Sequence, residues 1–192
     1  MKLLLYCTKA KPFLNDYRLM ENCNQFVIMS KPYNNLNGKI VAECDYEVEE
    51  ITLKFDDYEV WIESNTDENV ILKQSCLDGV ELYNYLGGEN EDKGYVIHIK
   101  NVKMLNEPKE LNTLIKDDWG YQDAKMWYNY FLPMENAQFV HYVNTPPKRM
   151  MKVHDNMLND YILIPVSSQE MCRVANKEQT SLVRRDVLKE ML

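Results

Sequence analysis

Near its C-terminal end the sequence places a helical segment between two short apolar segments, and this arrangement limits the possible folds more than any other feature. Residues 161–166 (YILIPV) are almost wholly apolar, residues 169–176 have helical character, and residues 180–184 (TSLVR) again have the character of a strand. We expect these two strands to pair with strands from the beginning of the chain. The pattern therefore predicts a sheet that the two ends of the chain complete together.

Candidate partner strands lie in the first half of the sequence. Residues 2–7 (KLLLYC) form a nearly unbroken apolar run, which is typical of a strand buried on both faces. Residues 38–46 (GKIVAECDY) begin at a glycine and then alternate, and residues 94–102 (GYVIHIKNV) alternate in the same way. Strand-like alternation also continues through residues 47–62.

Helices are predicted at fewer places. Residues 75–88 have an apolar helical face, with Ser75 or Asp78 as the N-cap and Gly87 at the C-terminal end. Residues 107–111 (EPKEL) predict a short helix with a proline in its first turn. Because short strands outnumber helices and are irregularly spaced, the sequence predicts an α+β protein, a small β-barrel with flanking helices.

Charge is distributed unevenly along the 192 residues, whose formal net charge is -8. Residues 43–92 contain sixteen acidic side chains and two lysines, so the remaining segments are mildly basic. This pattern is compatible with an ordinary solvated acidic face, with a basic cleft formed by the two ends, or with an acidic surface that binds a basic protein. The aromatic residues of segment 117–143 are compatible with base stacking or with packing onto the barrel.

Cysteine and histidine spacing argues against a metal centre. The five cysteines include no CxxC pair and the three histidines are scattered, so we expect no metal, no cofactor and a reducing, cytoplasmic environment. No apolar run approaches the roughly 20 residues of a membrane-spanning helix, so we also expect no membrane partner. The short apolar start is followed at once by lysines, which favours a buried strand over a signal peptide.

The C-terminal segment 162–185 (ILIPVSSQEMCRVANKEQTSLVRR) resembles the opening of an ASCH domain of the PUA-like superfamily. That opening consists of a strand, a Lys-Pro pair, a helix and the motif Asn-Gly-x-Lys-Thr-x-Glu-x-Arg. Later parts of the family pattern resemble segments 6–11 (YCTKAK), 38–44 (GKIVAEC), 94–101 with 107–111, and 145–151 (TPPKRMM). The order is that of a circularly permuted ASCH-like protein.

On this resemblance, residues 1–192 are predicted to form a single PUA-like domain, with insertions at approximately 54–90 and 115–144. The resemblance implies a β-barrel closed by C-terminal strands that pair with N-terminal strands. It also implies a cleft beside the first helix that binds RNA or a modified nucleotide. Some members are amidohydrolases that act on acetylated cytidine with a lysine, a threonine and a glutamate.

Carried over residue by residue, the family threonine is Thr180, the glutamate is Glu43 and the arginine is Arg184. Gln179 replaces the lysine, and glutamine can neither accept the threonine proton nor stabilise negative charge as a cation would. The motif also departs from the family where Lys177 replaces a glycine and Leu182 replaces a glutamate. The sequence therefore favours binding over catalysis.

The predicted ligand-binding residues combine basic, polar and aromatic side chains. We expect lysines and arginine to contact phosphates and Tyr6 to stack on a base. The full predicted set is Tyr6, Lys9, Lys11, Glu43, Lys177, Thr180 and Arg184.

Three functions follow from these patterns. The first is a non-catalytic module that binds nucleic acid, above all RNA, or a modified nucleotide. The second is a protein-interaction or inhibitory module, of a kind found in phages, that uses the acidic face of residues 43–92. The third is a weak amidohydrolase on an acetylated nucleoside that uses Thr180 and Glu43.

Overall fold

The protein is described by a computed structural model, which covers residues 1–8, 36–56, 59–86, 93–116 and 142–192, without side-chain detail at 55, 56, 59 and 60. Within these residues the chain forms eight strands and three α-helices. The strands are β1 (Lys2–Thr8), β2 (Lys39–Asp56), β3 (Glu59–Glu63), β4 (Lys93–Lys109), β5 (Ile115–Lys116), β6 (Met151–His154), β7 (Asp160–Ser167) and β8 (Ser181–Arg184). The helices are α1 (Glu68–Ser75), α2 (Gly79–Leu86) and α3 (Ser168–Ala175), and short 3₁₀ helices occupy Leu111–Thr113 and Lys189–Met191.

All eight strands belong to one mixed sheet in the order β5-β6-β7-β1-β2-β4-β8, and β3 pairs with the far end of β2. Strands β1 and β7 run parallel, and the remaining pairs are antiparallel. The predicted α+β class is therefore confirmed, as is the pairing of a C-terminal strand with the N-terminal strand. Along β1 and β7, Leu3 lies opposite Ile162 and Tyr6 lies opposite Pro165.

The prediction of a closed barrel is wrong for the described residues. Strand β8 pairs with β4 instead of an N-terminal strand, and no backbone ladder joins β8 to β7 among the described strands. The Arg184 side chain of β8 nevertheless reaches the backbone of β7, where Nη2 donates to the Pro165 oxygen at 3.3 Å. The sheet therefore curls until β7 and β8 approach each other, and a buried side chain joins them where a closed barrel would have backbone hydrogen bonds.

The sheet has a core on each of its faces because β1 is apolar on both. Leu3, Leu5 and Cys7 point into the first cluster, which α3 and the C-terminal 3₁₀ helix cover. Leu4 and Tyr6 point into a second cluster with Leu111, Leu114, Val143 and Val153. A third cluster packs α1 and α2 against the far ends of β2, β4 and β8. Burial of both faces explains why the β1 sequence is a continuous apolar run.

Capping fixes the ends of the helices. At α3, the Ser167 side chain accepts the Glu170 N–H and the Glu170 carboxylate accepts the Ser167 N–H, which completes a capping box. Asp78 and Glu81 make the same reciprocal pair at 2.8 Å before α2. Asp78 is therefore the cap of the predicted helix, whereas Ser75 ends the preceding helix α1 with its hydroxyl on the Ile71 oxygen.

The short helix predicted at 107–111 is wrong. Residues 107 and 108 continue strand β4, and the 3₁₀ helix begins only at Leu111. Pro108 lacks an N–H for a sheet ladder, but the β2–β4 register passes irregularly between Met104 and Lys109. The strand therefore accommodates the proline where regular pairing is interrupted.

None of the described helices has the length and apolar character needed to cross a membrane. The predicted insertion at 115–144 lies mostly outside the described residues, as does the aromatic segment of 117–143.

Candidate ligand-binding cavity

An open cavity of about 1130 Å³ lies at the C-terminal end of β1. Four parts of the chain line it: the ends of β1 and β7, the turn into β2, the turn that follows β4, and the loop before β6. Its lining residues are Tyr6, Thr8, Asn37, Gly38, Lys39, Glu110, Leu111, Asn112, Val143, Asn144, Thr145, Pro146, Pro147, Lys148 and Pro165. The cavity thus combines apolar surface with amides, hydroxyls and charged groups.

Tyr6 forms part of the cavity wall and is only 2% exposed. Burial raises the pKa of its phenol, and electrostatic interaction with Cys7 and Glu110 acts in the same direction. The phenol is therefore protonated at neutral pH. Among the described residues its hydroxyl has no hydrogen-bond partner. A phenol at the wall of a cavity can donate a hydrogen bond to a ligand there.

The turn into β2 shapes one side of the cavity. Gly38 has a φ of +89°, a conformation that favours glycine, and its N–H donates to the Cys7 oxygen at 2.7 Å. The β1–β2 register shifts between Leu5 and Tyr6, so that Leu5 faces Ala42 whereas Tyr6 faces Ile40. This bulge determines where Tyr6 sits relative to the turn.

Charged groups lie on the rim of the cavity. Lys39 and Glu110 form an ion pair at 3.0 Å, and both side chains are more than a third exposed. Lys148 is exposed at the end of the proline-containing loop 145–148. The Val143 N–H donates a hydrogen bond to the Leu114 oxygen at 2.9 Å, which ties the start of that loop to the sheet. The rim therefore presents one cation paired with a carboxylate and a second cation on the loop.

The structure brings together only part of the predicted ligand-binding set. Tyr6 lines the cavity, whereas Lys9 and Lys11 lie outside the described residues. Glu43 lies opposite Leu4 on β1, on the same face as Tyr6 but two pairs further from the cavity. Its charge acts on Lys2 and Tyr161.

Thr180 and Lys177 lie in a different part of the molecule. Thr180 is exposed, and its backbone joins the Gln74 oxygen of α1 to the Ile99 N–H of β4. Lys177 is exposed in the turn after α3, with a φ of 62°. Glu43 of β2 lies opposite Lys103 of β4. Thr180 lies on the other side of β4, where its oxygen accepts the Ile99 N–H, four positions along the strand from Lys103.

Arg184 is 7% exposed and faces the interior. Its Nη1 donates to Glu170 at 3.1 Å and to the Val183 oxygen at 2.8 Å. Burial opposes the charge of the guanidinium, but Glu170 and Tyr85 outweigh that effect, so the pKa of Arg184 lies above its ordinary value. The guanidinium therefore stays charged and is engaged within the protein.

A partly buried polar network that the sequence did not reveal connects α1 to the sheet. His98 Nδ1 lies 3.0 Å from the Ser181 hydroxyl, and His98 Nε2 lies 3.1 Å from the Glu49 carboxylate. Gln74 of α1 accepts the Ser181 hydroxyl at 2.9 Å, and Thr66 donates to Glu49 through both its N–H and its hydroxyl.

This network contains a serine, a histidine and a glutamate in hydrogen-bond contact, as hydrolases do. The Ser181 side chain is fully buried, however, so no substrate reaches it in this arrangement. The network therefore fastens α1 to three strands. Its hydrogen-bonded pairs are 17 to 107 positions apart in the sequence, and no local pattern signals such a contact.

Part of the acidic segment is paired with lysines across the sheet. Lys2 pairs with Asp45, Lys100 with Glu47, Lys93 with Glu50 and Lys54 with Glu63, and the N–O distances are 2.5–3.0 Å. Three of these lysines come from outside the acidic segment, so the fold compensates part of the charge imbalance along the sequence. Asp56, Asp57 and Glu59 have no described side chains.

The described cysteines are free thiols. Burial raises the pKa of the Cys7 thiol to about 11. Burial also raises the pKa of the Cys44 thiol, to about 12, and the charges of Asp45 and Glu43 add to this effect. Both are therefore protonated and poorly nucleophilic at neutral pH. Among the described residues, no group of three or more histidine, cysteine, aspartate or glutamate side chains is placed to hold a metal ion.

Comparisons with known proteins give no match: no family model, no curated protein and no solved structure resembles this chain. The similarity to ASCH domains therefore stays a prediction from the motif residues alone.

Proposed function

We propose that this protein binds a nucleotide or modified nucleoside in the cavity at the end of β1, without turning it over. The observation that carries this proposal is the Tyr6 side chain, which lines the cavity and whose hydroxyl makes no hydrogen bond to the described residues. A polar ligand in the cavity could accept a hydrogen bond from this phenol.

Size and chemistry both support a ligand of this class. Small-molecule sites usually measure about 300–1,000 Å³ and combine apolar walls with a few polar groups. This cavity, of about 1130 Å³, has proline, leucine and valine surface together with the amides of Asn37, Asn112 and Asn144. Amides can both donate to and accept from a base edge, and lysines can contact a phosphate.

The positions of the residues that correspond to the amidohydrolase lysine, threonine and glutamate support the absence of turnover. Thr180 directly precedes β8 and Glu43 lies on β2, with β4 between them. Gln179 replaces the lysine, is 4% exposed and donates through Nε2 to the Ser181 oxygen at 3.1 Å. These residues do not meet in the cavity, so the proposal does not use them.

Calorimetric titration at low salt tests the proposal with cytidine, N4-acetylcytidine, their 5′-monophosphates and a short RNA that contains the same nucleoside. Tyr6→Phe retains the ring and removes the hydroxyl, and we expect about tenfold weaker binding, equivalent to about 1.4 kcal/mol. Lys148→Gln is expected to weaken the monophosphates and leave the nucleosides nearly unchanged, because only the phosphate meets the cation.

Two matched controls distinguish this cavity from the site that the sequence predicted. Tyr161→Phe removes a phenol that hydrogen-bonds to Asp155 away from the cavity, and Lys177→Gln removes an exposed lysine beyond α3. Neither control should change binding. Loss of affinity in Lys177→Gln but not in Lys148→Gln would move the site to the turn before β8, and no heat with any of the probes would contradict the proposal.

A further inference from the structure

The β6–β7 turn, residues 155–159, carries two adjacent apolar side chains on the surface of the molecule. Met157 is 81% exposed and Leu158 is 65% exposed. Neither belongs to any of the three hydrophobic clusters that the described residues form. Single apolar residues are common on protein surfaces, but an adjacent pair that stays outside the core is a candidate contact with another molecule.

Hydrogen bonds hold this turn in one conformation. The Asp155 carboxylate accepts the N–H groups of Met157 and Asn159 at 2.9 and 3.0 Å, and the side-chain amide of Asn159 at 3.0 Å. The Leu158 N–H donates to the Asp155 backbone oxygen at 2.9 Å, and the Asp155 N–H donates to the Asn159 oxygen at 3.2 Å. The two apolar side chains therefore project from an ordered backbone, so binding them would not require a loop to be ordered first.

Leucine is an unfavourable residue for the position that it occupies in this turn. Leu158 has a φ of 63°, in the left-handed region where glycine and asparagine are favoured and a leucine lowers stability. Because its side chain is exposed, burial inside the protein does not offset this cost. A residue that is held in such a conformation without packing on its own core is expected where its side chain has a function.

The turn also carries negative charge. Among the described residues, the Asp155 carboxylate accepts hydrogen bonds from uncharged groups alone, namely those of the turn and the Tyr161 hydroxyl at 3.4 Å. Burial opposes its ionisation, but hydrogen bonds, above all from Asn159, outweigh burial and hold the pKa of this carboxyl below its usual value. Asp155 is therefore ionised at neutral pH.

A second carboxylate lies at the same end of the hairpin. Asp160 begins β7 and is exposed. His154 lies opposite Asp160 in the β6–β7 ladder, yet no ion pair joins these two side chains. Within the part of the chain that the structure describes, neither Asp155 nor Asp160 takes part in an ion pair. The apolar pair therefore stands beside two carboxylates that no described cation contacts.

We propose that the β6–β7 turn docks into an apolar pocket of another protein, a pocket whose rim carries lysine or arginine. Met157 and Leu158 would fill the pocket, and the cations of the rim would face Asp155 and Asp160. This inference is independent of the nucleotide site, because none of these four residues lines the cavity.

Charge selects this partner over the alternatives. Nucleic acid and membranes rich in anionic lipid would bring negative charge towards two carboxylates and would be repelled. A second copy of this chain has a net charge of -8 and would also be repelled on average. A pocket with a cationic rim gains from the same field, and the apolar pair gives the contact its register.

A titration with cyclodextrins tests the proposal on the full-length protein, because β-cyclodextrin is an apolar pocket whose rim charge can be chosen. The probe carries amino groups on its rim, and a matched probe carries carboxylates there. With ¹³C-methyl labelling, we expect the amino probe to shift the signal of Met157 first among the 11 methionines. The carboxylate probe should bind about tenfold more weakly, and the affinity of the amino probe should fall as salt increases.

The Leu158→Asn variant gives a result that a loss of folding could not imitate. Asparagine tolerates the left-handed conformation, so this variant should resist urea better than wild type and yet bind the amino probe about fivefold more weakly. Val70→Gln is the matched control at an exposed valine of α1 and should leave binding unchanged. Asp160→Asn should reduce the preference for the amino rim over the carboxylate rim.

Equal binding of the amino and carboxylate probes would overturn the proposal, as would a Met157 signal that neither probe shifts. A Leu158→Asn variant that is less stable than wild type would show that the leucine serves the fold, and would also contradict it. Vesicles of phosphatidylcholine and sedimentation equilibrium test the other occupants. Vesicle binding or self-association that Leu158→Asn abolishes would assign the turn to a membrane or to a second copy of the chain, against a cationic protein pocket.

Discussion

At the scale of single residues, Glu49 shows how tertiary contacts determine the properties of an acidic side chain. Its side chain is 10% exposed, yet burial does not raise the pKa of the carboxyl overall. Hydrogen bonds from the Thr66 hydroxyl and N–H, together with His98, outweigh burial and lower it. An acid with a depressed pKa in the folded state stabilises the protein when it is ionised.

We therefore predict that Glu49→Gln removes a stabilisation that is lost as the pH falls. The contribution is fully present above the unfolded glutamate pKa of about 4.3 and is lost as the pH falls through the lower folded value. Urea unfolding between pH 3 and pH 7 should show a difference between wild type and variant that is constant above about pH 5 and shrinks below about pH 4. A difference that remains constant down to pH 3 would contradict this assignment.

At the scale of elements, the contact between the start of β4 and the end of α2 leaves no room for a side chain. A Cβ on Gly94 would lie 2.5 Å from Cδ2 and 3.0 Å from Cδ1 of Leu86, which is fully buried. The glycine therefore sets how closely the strand approaches the helix.

We predict that Gly94→Ala destabilises the protein by about 1–3 kcal/mol through overpacking. In the double variant with Leu86→Ala, the loss should be smaller than the sum of the two single losses, because the clashing methyl groups are gone. Gly79→Ala is the matched control, since nothing lies within 4 Å of its added Cβ. Chemical denaturation measures all four proteins, and strictly additive losses would show that the clash is relieved elsewhere.

At the scale of the whole molecule, the two edges of the curled sheet are joined by Arg184. Its guanidinium connects β8 to the Pro165 oxygen of β7 and to Glu170 of α3, and the Arg184 and Glu170 side chains are 9% and 15% exposed. Removing one partner of a buried pair leaves the other charge uncompensated. The residue that the family resemblance assigned to a ligand thus stabilises the joining of the two ends of the chain.

We expect Arg184→Met to lower the free energy of unfolding by about 3 kcal/mol. Adding Glu170→Gln should recover part of that loss, because the unpaired charge is then removed. Arg185→Met is the matched control, since that exposed arginine lies 5.5 Å from the Tyr85 ring centroid and should contribute less than about 1 kcal/mol. An equal loss in the two single variants, measured by urea unfolding, would argue against a bridge between β7 and β8.

Local signals allowed much of the secondary structure to be predicted. The apolar run of β1 and the strand, helix and strand of β7, α3 and β8 follow from periodicity and capping, which act within a few residues. Helix α1 was missed because Val70, Ile71 and Leu72 are consecutive and so lack helical spacing. The helix at 107–111 was predicted wrongly because a proline at an irregular position of β4 has the same local signature as a helix start.

The candidate site also has a part that the sequence predicted and a part that it did not. Tyr6, Gly38-Lys39 and the loop 145–148 all belong to segments that the sequence singled out, and the structure places them around one cavity. What the sequence alone determined was therefore the character of the segments, because propensity, periodicity and capping are local. Only the tertiary structure decided that β8 pairs with β4, that Arg184 is buried against Glu170, and that Thr180 lies apart from Glu43. Those outcomes depend on contacts between distant residues, whose energies have no local signature in the chain.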